Sequence, residues 1–489
     1  MPLEPVLRTA ELRALEARHA DAGLMERAGA AAADVAVRLA TRAGRIVVVA
    51  GPGNNGGDGF VVARLLRERF FDVCVVARGD PARRPRDAAA AARAYADGGG
   101  AIATDPPGGR IALVVDAIFG IGQKRAAEAW HAALIAWIND VDAPRLALDV
   151  PSGIDADTGR AVGDAVVATA TTTFLAWKPG LLTGAGLDHG GDVSLHPLGV
   201  AAAVAGRGVR LDWRSLAATL PAALRRTARG AHKGDFGTLA IVGGAPGMVG
   251  AALLAGRGAL AAGAGKVQVG LVADGPAVDF AYPELMLRAA PAALDGADAI
   301  VAGPGLGRSD AARELLQRVL RQPVPVALDA DALNLVAESP ALRELVVART
   351  APTLVTPHPA EAARLLRATT AGVQDDRVGA ALALATALRA HAVVKGAGSV
   401  IADPGGDFAI NASGNPGLAT GGTGDVLAGL VGALLAQRIG AADALRIAVC
   451  VHGAAADALV ARGVGPVGLR ASELPDAVRA LLNAPGAAR

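Results

Sequence analysis

The run Arg45-Ile46-Val47-Val48-Val49-Ala50 constrains the fold more than any other stretch of this chain. It is short and continuously apolar, as expected for a strand buried on both faces of a parallel sheet. It empties into Gly51-Pro52-Gly53-Asn54-Asn55-Gly56-Gly57-Asp58-Gly59, and Phe60–Glu68 then resumes helical spacing. Strand, glycine loop and helix in that order set a pyrophosphate or ribose against backbone N–H groups. A glycine loop alone is weak evidence, but two asparagines and an aspartate inside one are unusual. Upstream, Leu12, Leu15 and His19 form one helical stripe after a Thr9 cap, and a second helix is expected from Leu24 to Arg42. Downstream, strands are expected at Asp72–Ala77, Ile111–Asp116 and Arg145–Val150, separated by helices at Asp87–Ala96 and Glu128–Ile138. The pattern predicts a doubly wound sheet with ligands at the carboxyl ends of its strands.

The alternation starts again in the second half. Strands expected at Thr238–Val242, Ala299–Ala302, Val324–Leu328 and Thr353–Val355 each lead into a glycine or polar loop, so a second α/β sheet carries a second site. A chain of 489 residues is too long for one core, and the expected domains are 1–211 and 212–489. With 52% apolar residues but only 3% aromatic, the composition suits helix-covered α/β layers. The positive mean hydropathy of +0.38 raises the question of a membrane. However, the most apolar windows, Leu418–Gln437 and Leu445–Val460, are interrupted by Asp425 and by His452 and Asp457, which makes them buried helices rather than spans. No basic region followed by an apolar one opens the chain, so a cytoplasmic location is expected, with self-association left open. Cys74 and Cys450 lie far apart in apolar settings, as small buried hydrophobes. Net charge is +2, and the one basic cluster, Arg83-Arg84-Pro85-Arg86, lacks interleaved aromatics; it fits a solvated loop better than a nucleic-acid surface.

Polar residues gather where the strands end. Asp116 closes one strand, Asp149 nearly closes another, and Asn55, Asp116 and Ser152 would offer hard oxygens suited to an alkali or alkaline-earth cation, although each alone could be a loop cap. In the second half, Pro357 and Pro359 stiffen the backbone around His358, which is either an aimed ligand or a structural histidine. Val394-Lys395-Gly396-Ala397-Gly398-Ser399 is a phosphate-type loop with a lysine. The densest glycine stretch runs from Asn415 to Gly429 and favours an anion. Asp425 inside it would be repelled by a phosphate unless it serves as a base or holds a metal; otherwise it is an ordinary residue of a helix start. Two such loops suggest two phosphorylated ligands.

These motifs resemble known families. Leu24-Met25-Glu26-Arg27-Ala28-Gly29, the Gly51–Gly59 loop, Asp116–Gly122 and Leu148-Asp149-Val150-Pro151-Ser152-Gly153-Ile154-Asp155 resemble, in that order, the YjeF N-terminal domain, the Rossmann-like NAD(P)H-hydrate epimerase. The resemblance implies a hydrated nicotinamide dinucleotide touched by Asn54, Asn55, Gly56, Gly57, Asp58, by Gly120, Ile121, Gly122, Gln123, Lys124, Arg125, Ala126, and by Asp149. It also implies a potassium ion at Asn55, Asp116 and Ser152, with Asp149 as the acid/base group and Lys178 as a further family position. Lys233-Gly234-Asp235, Gly303–Gly307, Leu328–Asn334, Thr356–Glu361, Lys395–Ser399 and Ala419–Gly429 together resemble the ribokinase-like NAD(P)H-hydrate dehydratase. That resemblance implies that Ala251, Gly305, His358 and Asp425 contact the hydrated dinucleotide. Lys395, Gly396, Ala397, Gly398, Ser399 and Gly424 would contact ADP, with magnesium and Asp425 as base. The fusion looks like the bacterial bifunctional repair enzymes acting on hydrated NADH and NADPH. Two rivals remain: a ribokinase-type small-molecule kinase, for which Gly422-Thr423-Gly424-Asp425 is equally suited, and a first domain that only binds or scaffolds.

Overall fold

The computed structural model describes residues 4–40, 43–202 and 206–484. These form two compact units that divide between Gly208 and Val209. The division precedes the expected residue 211 because the strand Gly208–Leu211 lies beside Phe408–Asn411 in the second sheet, where the Leu211 carbonyl accepts the Ala412 N–H at 2.9 Å.

In the first unit, seven strands run in the order 101–103, 73–77, 45–50, 111–117, 145–148, 170–174, 192–196, and the pairings are parallel. The chain moves outward from Arg45–Ala50 to one edge, then returns to place Ile111–Ala117 on the other side of that first strand. The two are therefore the topological switch point, where the loops after them part. They part narrowly: a Cβ on Gly51 would lie 1.9 Å from the carbonyl oxygen of Ile118, so only glycine fits there.

Four expectations differ from the structure. The helix after Arg45–Ala50 begins at Asn54 and runs to Glu68, so Asn54–Gly59 are its first turns and not loop. The strand Arg145–Leu148 stops short of Val150 because Asp149 takes a positive φ of 67°. Thr9 is the first residue of the helix Thr9–Arg18, with Arg8 at the cap position. The helix expected to reach Arg42 runs Leu24–Leu39, and Arg42 lies outside the described residues.

The second sheet runs 208–211, 408–411, 400–402, 391–394, 353–355, 326–328, 299–302, 238–243, 266–271, 286–289. From His391–Val394 through Met286–Ala289 the pairings are parallel, and a hairpin, Val400–Ala402 with Phe408–Asn411, adds antiparallel strands. The glycine-rich stretch becomes helix Thr423–Ala436, which packs closely on Val249–Ala261. Gly429 permits that approach, since a Cβ there would sit 1.9 Å from the Ala255 carbonyl oxygen. Helix Ala441–Ala461 is long and apolar enough to cross a membrane, but 72% of its most apolar window is buried within the fold, as expected for a core helix. Cys74 and Cys450 are free and buried.

Candidate active sites

At the switch point of the first unit lies a cleft of about 1530 Å³ lined by Asn54, Asn55 and Asp58, the whole 120–126 loop, Asp149 and Lys178. Gly56 and Gly57 are not on its wall. A Cβ on Gly56 would meet the Gly51 carbonyl oxygen at 2.0 Å and one on Gly57 the Met25 methyl at 2.6 Å, so both glycines let the helix seat against its neighbours.

Asp149 and Lys178 form the polar centre. The Lys178 ammonium is 2% exposed and donates to Asp149 Oδ1 at 2.5 Å, Thr173 Oγ1 at 2.9 Å and the Phe174 carbonyl at 2.7 Å. A lysine this buried needs all three partners. The left-handed backbone of Asp149 is costly for a residue with a Cβ and swings its carboxylate off the strand end toward the cleft. Two more carboxyl groups face the pair. Asp58 is pushed well above its ordinary pKa, first by burial and then by the charges of Asp149 and Glu16, with Lys178 opposing. Glu16, on helix Thr9–Arg18, is raised by burial and by Asp149, with Lys178 and Arg13 opposing. A carboxylate bonded to an ammonium, beside a carboxyl group that favours its proton, supplies an acid and a base within one cleft.

The 120–126 loop is braced by its own side chains. Gln123 accepts the Gly153 N–H at 2.8 Å, and the Lys124 ammonium bonds Asp155 at 3.1 Å and Asp157 at 2.8 Å. Asp157 also accepts from the Thr9 N–H at 2.6 Å and hydroxyl at 2.9 Å, so helix Thr9–Arg18 is fastened to the loop it faces. Asp116 is fully buried: its oxygens accept from the Ser152 hydroxyl at 2.6 Å, the Ser152 N–H at 2.8 Å and the Ile118 N–H at 3.2 Å. Burial pushes its carboxyl up to about 6, against those three donors. Both polar atoms of the Asn55 side chain are buried with no partner.

In the second unit the candidate residues follow the carboxyl ends of adjacent parallel strands. Gly305, after Ala299–Ala302, lies beside Ala251, with a built Cβ 3.3 Å from that of Ala251 and 2.5 Å from the Met248 carbonyl oxygen. The Asp331 carboxylate accepts the Gly307 N–H at 2.8 Å and holds this loop in place. Lys395 follows His391–Val394, and its ammonium bonds Asp329, after Val326–Leu328, at 2.7 Å. The same ammonium stands 3.4 Å from where a Gly424 Cβ would be, so Lys395, Gly424 and the adjacent Asp425 converge.

Asp425 occupies the first turn of Thr423–Ala436, where Gly422 is the cap residue. Its carboxyl is pushed up to about 6, chiefly by burial, then by Asp329, with Lys395 opposing and Asp331 and Glu361 adding. His358 is half-exposed and engaged locally: Nδ1 accepts the N–H groups of Ala360 at 3.2 Å and Glu361 at 3.4 Å, and Nε2 lies 3.2 Å from Glu361 Oε1. It therefore caps helix Pro359–Leu366, which does not bar its exposed face from a ligand. In the Lys395–Ser399 loop, the Ser399 hydroxyl donates to the Gly396 carbonyl at 2.9 Å. Arg377, buried behind the loop, donates to the Ala397 carbonyl at 2.5 Å and the Val394 carbonyl at 3.2 Å. The Lys395 N–H is spent on the Pro357 carbonyl at 2.9 Å and the Gly396 N–H on the Ser399 hydroxyl at 3.2 Å, so with those carbonyls held inward it is the N–H groups of Ala397 to Ser399 that remain for phosphate oxygens.

Sequence reasoning missed Glu16, Arg377 and the pairing of Asp329 with Lys395 as parts of these sites. Asp329 at least fell within a quoted motif. Arg377 opens an otherwise apolar helix, Arg377–Leu388, and that misplaced charge was the available signal.

Two families match the chain: "YjeF-related protein N-terminus" over residues 21–180 and "NAD(P)H-hydrate dehydratase" over residues 239–478. The bifunctional NAD(P)H-hydrate repair enzyme of Escherichia coli K12 is 39% identical over 94% of this chain and 89% of its own length. That of Coxiella burnetii is 39% identical over 98% of each. A crystal structure of the ADP/ATP-dependent NAD(P)H-hydrate dehydratase of Bacillus subtilis, co-crystallised with ATP and Mg2+, is 32% identical. It covers 56% of this chain and 96% of its own, with a TM-score of 0.48.

Proposed function

The chain belongs to the family of bifunctional NAD(P)H-hydrate repair enzymes, and from that premise we propose which residues of each unit do the work. The first unit is an NAD(P)H-hydrate epimerase and the second an NAD(P)H-hydrate dehydratase that uses an adenine nucleotide. The choice of ADP over ATP rests on the likeness of the second-unit motifs to the ADP-using form.

Epimerisation requires the hydroxyl on the hydrated ring carbon to leave and water to return on the other face. The cleft holds groups for both halves. Asp58 donates a proton to the departing hydroxyl, the ring nitrogen's lone pair stabilises the resulting cation, and Asp149, oriented by Lys178, takes the proton from the incoming water. Atoms balance, since one water leaves and one returns. The potassium site is supported by the unpartnered Asn55 side chain: a buried carbonyl oxygen without a donor suits a hard, weakly hydrated cation, which would supply fixed positive charge there. Asn55, Asp116 and Ser152 would hold it.

In the second unit, hydroxide is again the poor leaving group. Asp425 takes the proton of the substrate hydroxyl, whose oxygen attacks the terminal phosphorus of ADP and releases AMP. Phosphate then leaves, a ring proton from the neighbouring carbon is lost, and the conjugated dihydropyridine is restored. The Lys395 ammonium and the N–H groups of Ala397, Gly398, Ser399 and Gly424 hold the phosphates. No group of three His, Cys, Asp or Glu is preassembled for a metal among the described residues, so magnesium would arrive held by the nucleotide's phosphates and supply charge neutralisation. The convergence of Lys395 and Gly424 beside Asp425 carries this assignment. To test the whole reading, both epimers of hydrated NADH are mixed with the protein, ADP and ATP are supplied separately, and NADH absorbance is followed. Full recovery with ADP is expected, and no recovery with either nucleotide overturns it.

A further inference from the structure

Asp329 is a second carboxylate in a place that should hold as little negative charge as it can. It is 2% exposed and follows Val326–Leu328, next to Ala330, whose φ of 46° turns the chain sharply into helix Ala330–Glu338. Its Oδ1 binds the Lys395 ammonium at 2.7 Å, and its Oδ2 lies 3.9 Å from where a Gly424 Cβ would stand. It thus abuts the phosphate-binding turn itself. An anion here opposes phosphate binding, and a helix start alone would not require it.

We propose that Asp329 is a positioning residue for dehydration: it anchors Lys395 against the Gly422–Asp425 turn and, as the carboxylate facing Asp425, keeps that base able to accept a proton. The proposal rests on Asp425 being the base. Without Asp329, Lys395 would be free to pair with Asp425 directly, as Lys178 pairs with Asp149, and a carboxylate so paired is a weaker base. The other carboxylates around Asp425 also raise its pKa, but each is bonded elsewhere. Asp331 is committed to the Gly307 N–H and Glu361 to His358. His452, on helix Ala441–Ala461, is buried with Nε2 on the Thr423 carbonyl at 3.0 Å and is held neutral, its pKa lowered by burial to about 4. Arg257, on the packed helix Val249–Ala261, is bound to Asp279, and Arg470 and Glu473 pair with each other. The atoms nearest Gly422 from those two segments belong to Leu254 and Ala471.

The test is the pH profile of kcat/KM for dehydration of the S hydrate at saturating ADP, from pH 5 to 9, for wild type, Asp329→Asn, Asp329→Glu and Asp425→Asn. In Asp329→Asn the acid limb should move to lower pH by about one unit, with kcat at pH 8 reduced about tenfold. Asp329→Glu keeps the charge and should keep the limb while losing kcat, because the longer side chain displaces Lys395. Melting temperature and epimerase activity show whether each variant is folded. If Asp329→Asn is slow but its limb does not move, Asp329 only supports the fold and the proposal is overturned. If Asp329→Asn does not fold, Asp329→Glu decides: an unmoved limb with reduced kcat supports the proposal, and full kcat overturns it. Full activity of Asp425→Asn removes the base and this proposal together, whereas an inactive Asp425→Asn with an unmoved Asp329→Asn limb removes this proposal alone.

Discussion

Asp149 and Asp425 each stand beside a lysine at the site of their unit, yet the lysines are disposed differently. Lys178 bonds Asp149 directly at 2.5 Å, whereas Lys395 is claimed by Asp329 at 2.7 Å and acts on Asp425 without a hydrogen bond. Asp149 is thereby fixed in direction, as the proposed role at a ring carbon would require of a group on a rigid strand end. Asp425 is left with burial and three neighbouring carboxylates, and its proton affinity is raised instead. The contrast fits the two chemistries we propose, in which one site would hold its carboxylate still while water leaves and returns, and the other would receive a proton next to phosphates whose charge needs the lysine.

The comparison breaks most visibly at Asp425. Asp425→Asn leaves the glycine backbone and the helix start in place, so ADP should bind as well as before or more tightly. Dehydration should fall at least about a hundredfold, the usual scale for losing a general base. NADH recovery, ADP affinity and epimerisation, measured on one preparation, separate this from a capping role, in which asparagine would serve equally well. Near-normal NADH recovery would remove the base assignment. At Asp149 the loss should be partial in a different sense. Asp149→Asn stops interconversion but leaves the S form a substrate, so about half of a mixed hydrate should persist on the enzymatic timescale. Rapid and complete recovery would take Asp149 out of the mechanism.

Next in size is a stability effect peculiar to the first unit. Removing one partner of a buried ion pair strands the other, typically at a cost of about 3–5 kcal/mol, while removing both can be close to neutral. Lys178→Met should therefore destabilise, and the double variant Lys178→Met with Asp149→Asn should regain much of that loss in denaturant unfolding. Additive losses would mean that the short contact carries little coupling.

How much of this was legible in the sequence depended on whether the signal was local. Ala299–Ala302 and Thr353–Val355 lie within the expected bounds because strands buried on both faces announce themselves as short apolar runs. Ala170–Phe174 did not, since Thr171, Thr172 and Thr173 are fully buried yet look polar. Lys266–Leu271 carries Gln268 inside it and was missed too. The start of Asn54–Glu68 was hidden by glycines that serve close packing rather than a turn, as Gly57 against Met25 illustrates. In the sites, glycine loops and a proline-framed histidine were readable because backbone geometry demands those residue types. Glu16 beside Asp149, and Asp329 bound to Lys395 across 66 residues, arise only when strands become neighbours, and no spacing encodes that.

The smallest effect expected is also the one that most sharpens the difference between the two carboxylates. With Asp425 at about 6, kcat/KM for dehydration should rise with pH through that value and level off above it, falling about tenfold per unit on the acid side. The same shift has a consequence for stability. The folded state holds this proton more tightly than the unfolded chain, whose aspartates titrate near 3.9, so less is bound in the unfolded state and stability falls as pH rises between about 4 and 6. The contribution is most favourable below the ordinary value and is lost once pH passes the folded one. Asp425→Asn, which cannot ionise, should therefore melt at a higher temperature than wild type at pH 8, while the two should converge near pH 4. Asp149→Asn should show no such gain, because it gives up a direct ionic partner. A melting temperature for Asp425→Asn that stays below wild type across this range would mean that Asp425 supports the helix start more than its ionisation costs it, and the catalytic strain inferred for this turn would be wrong.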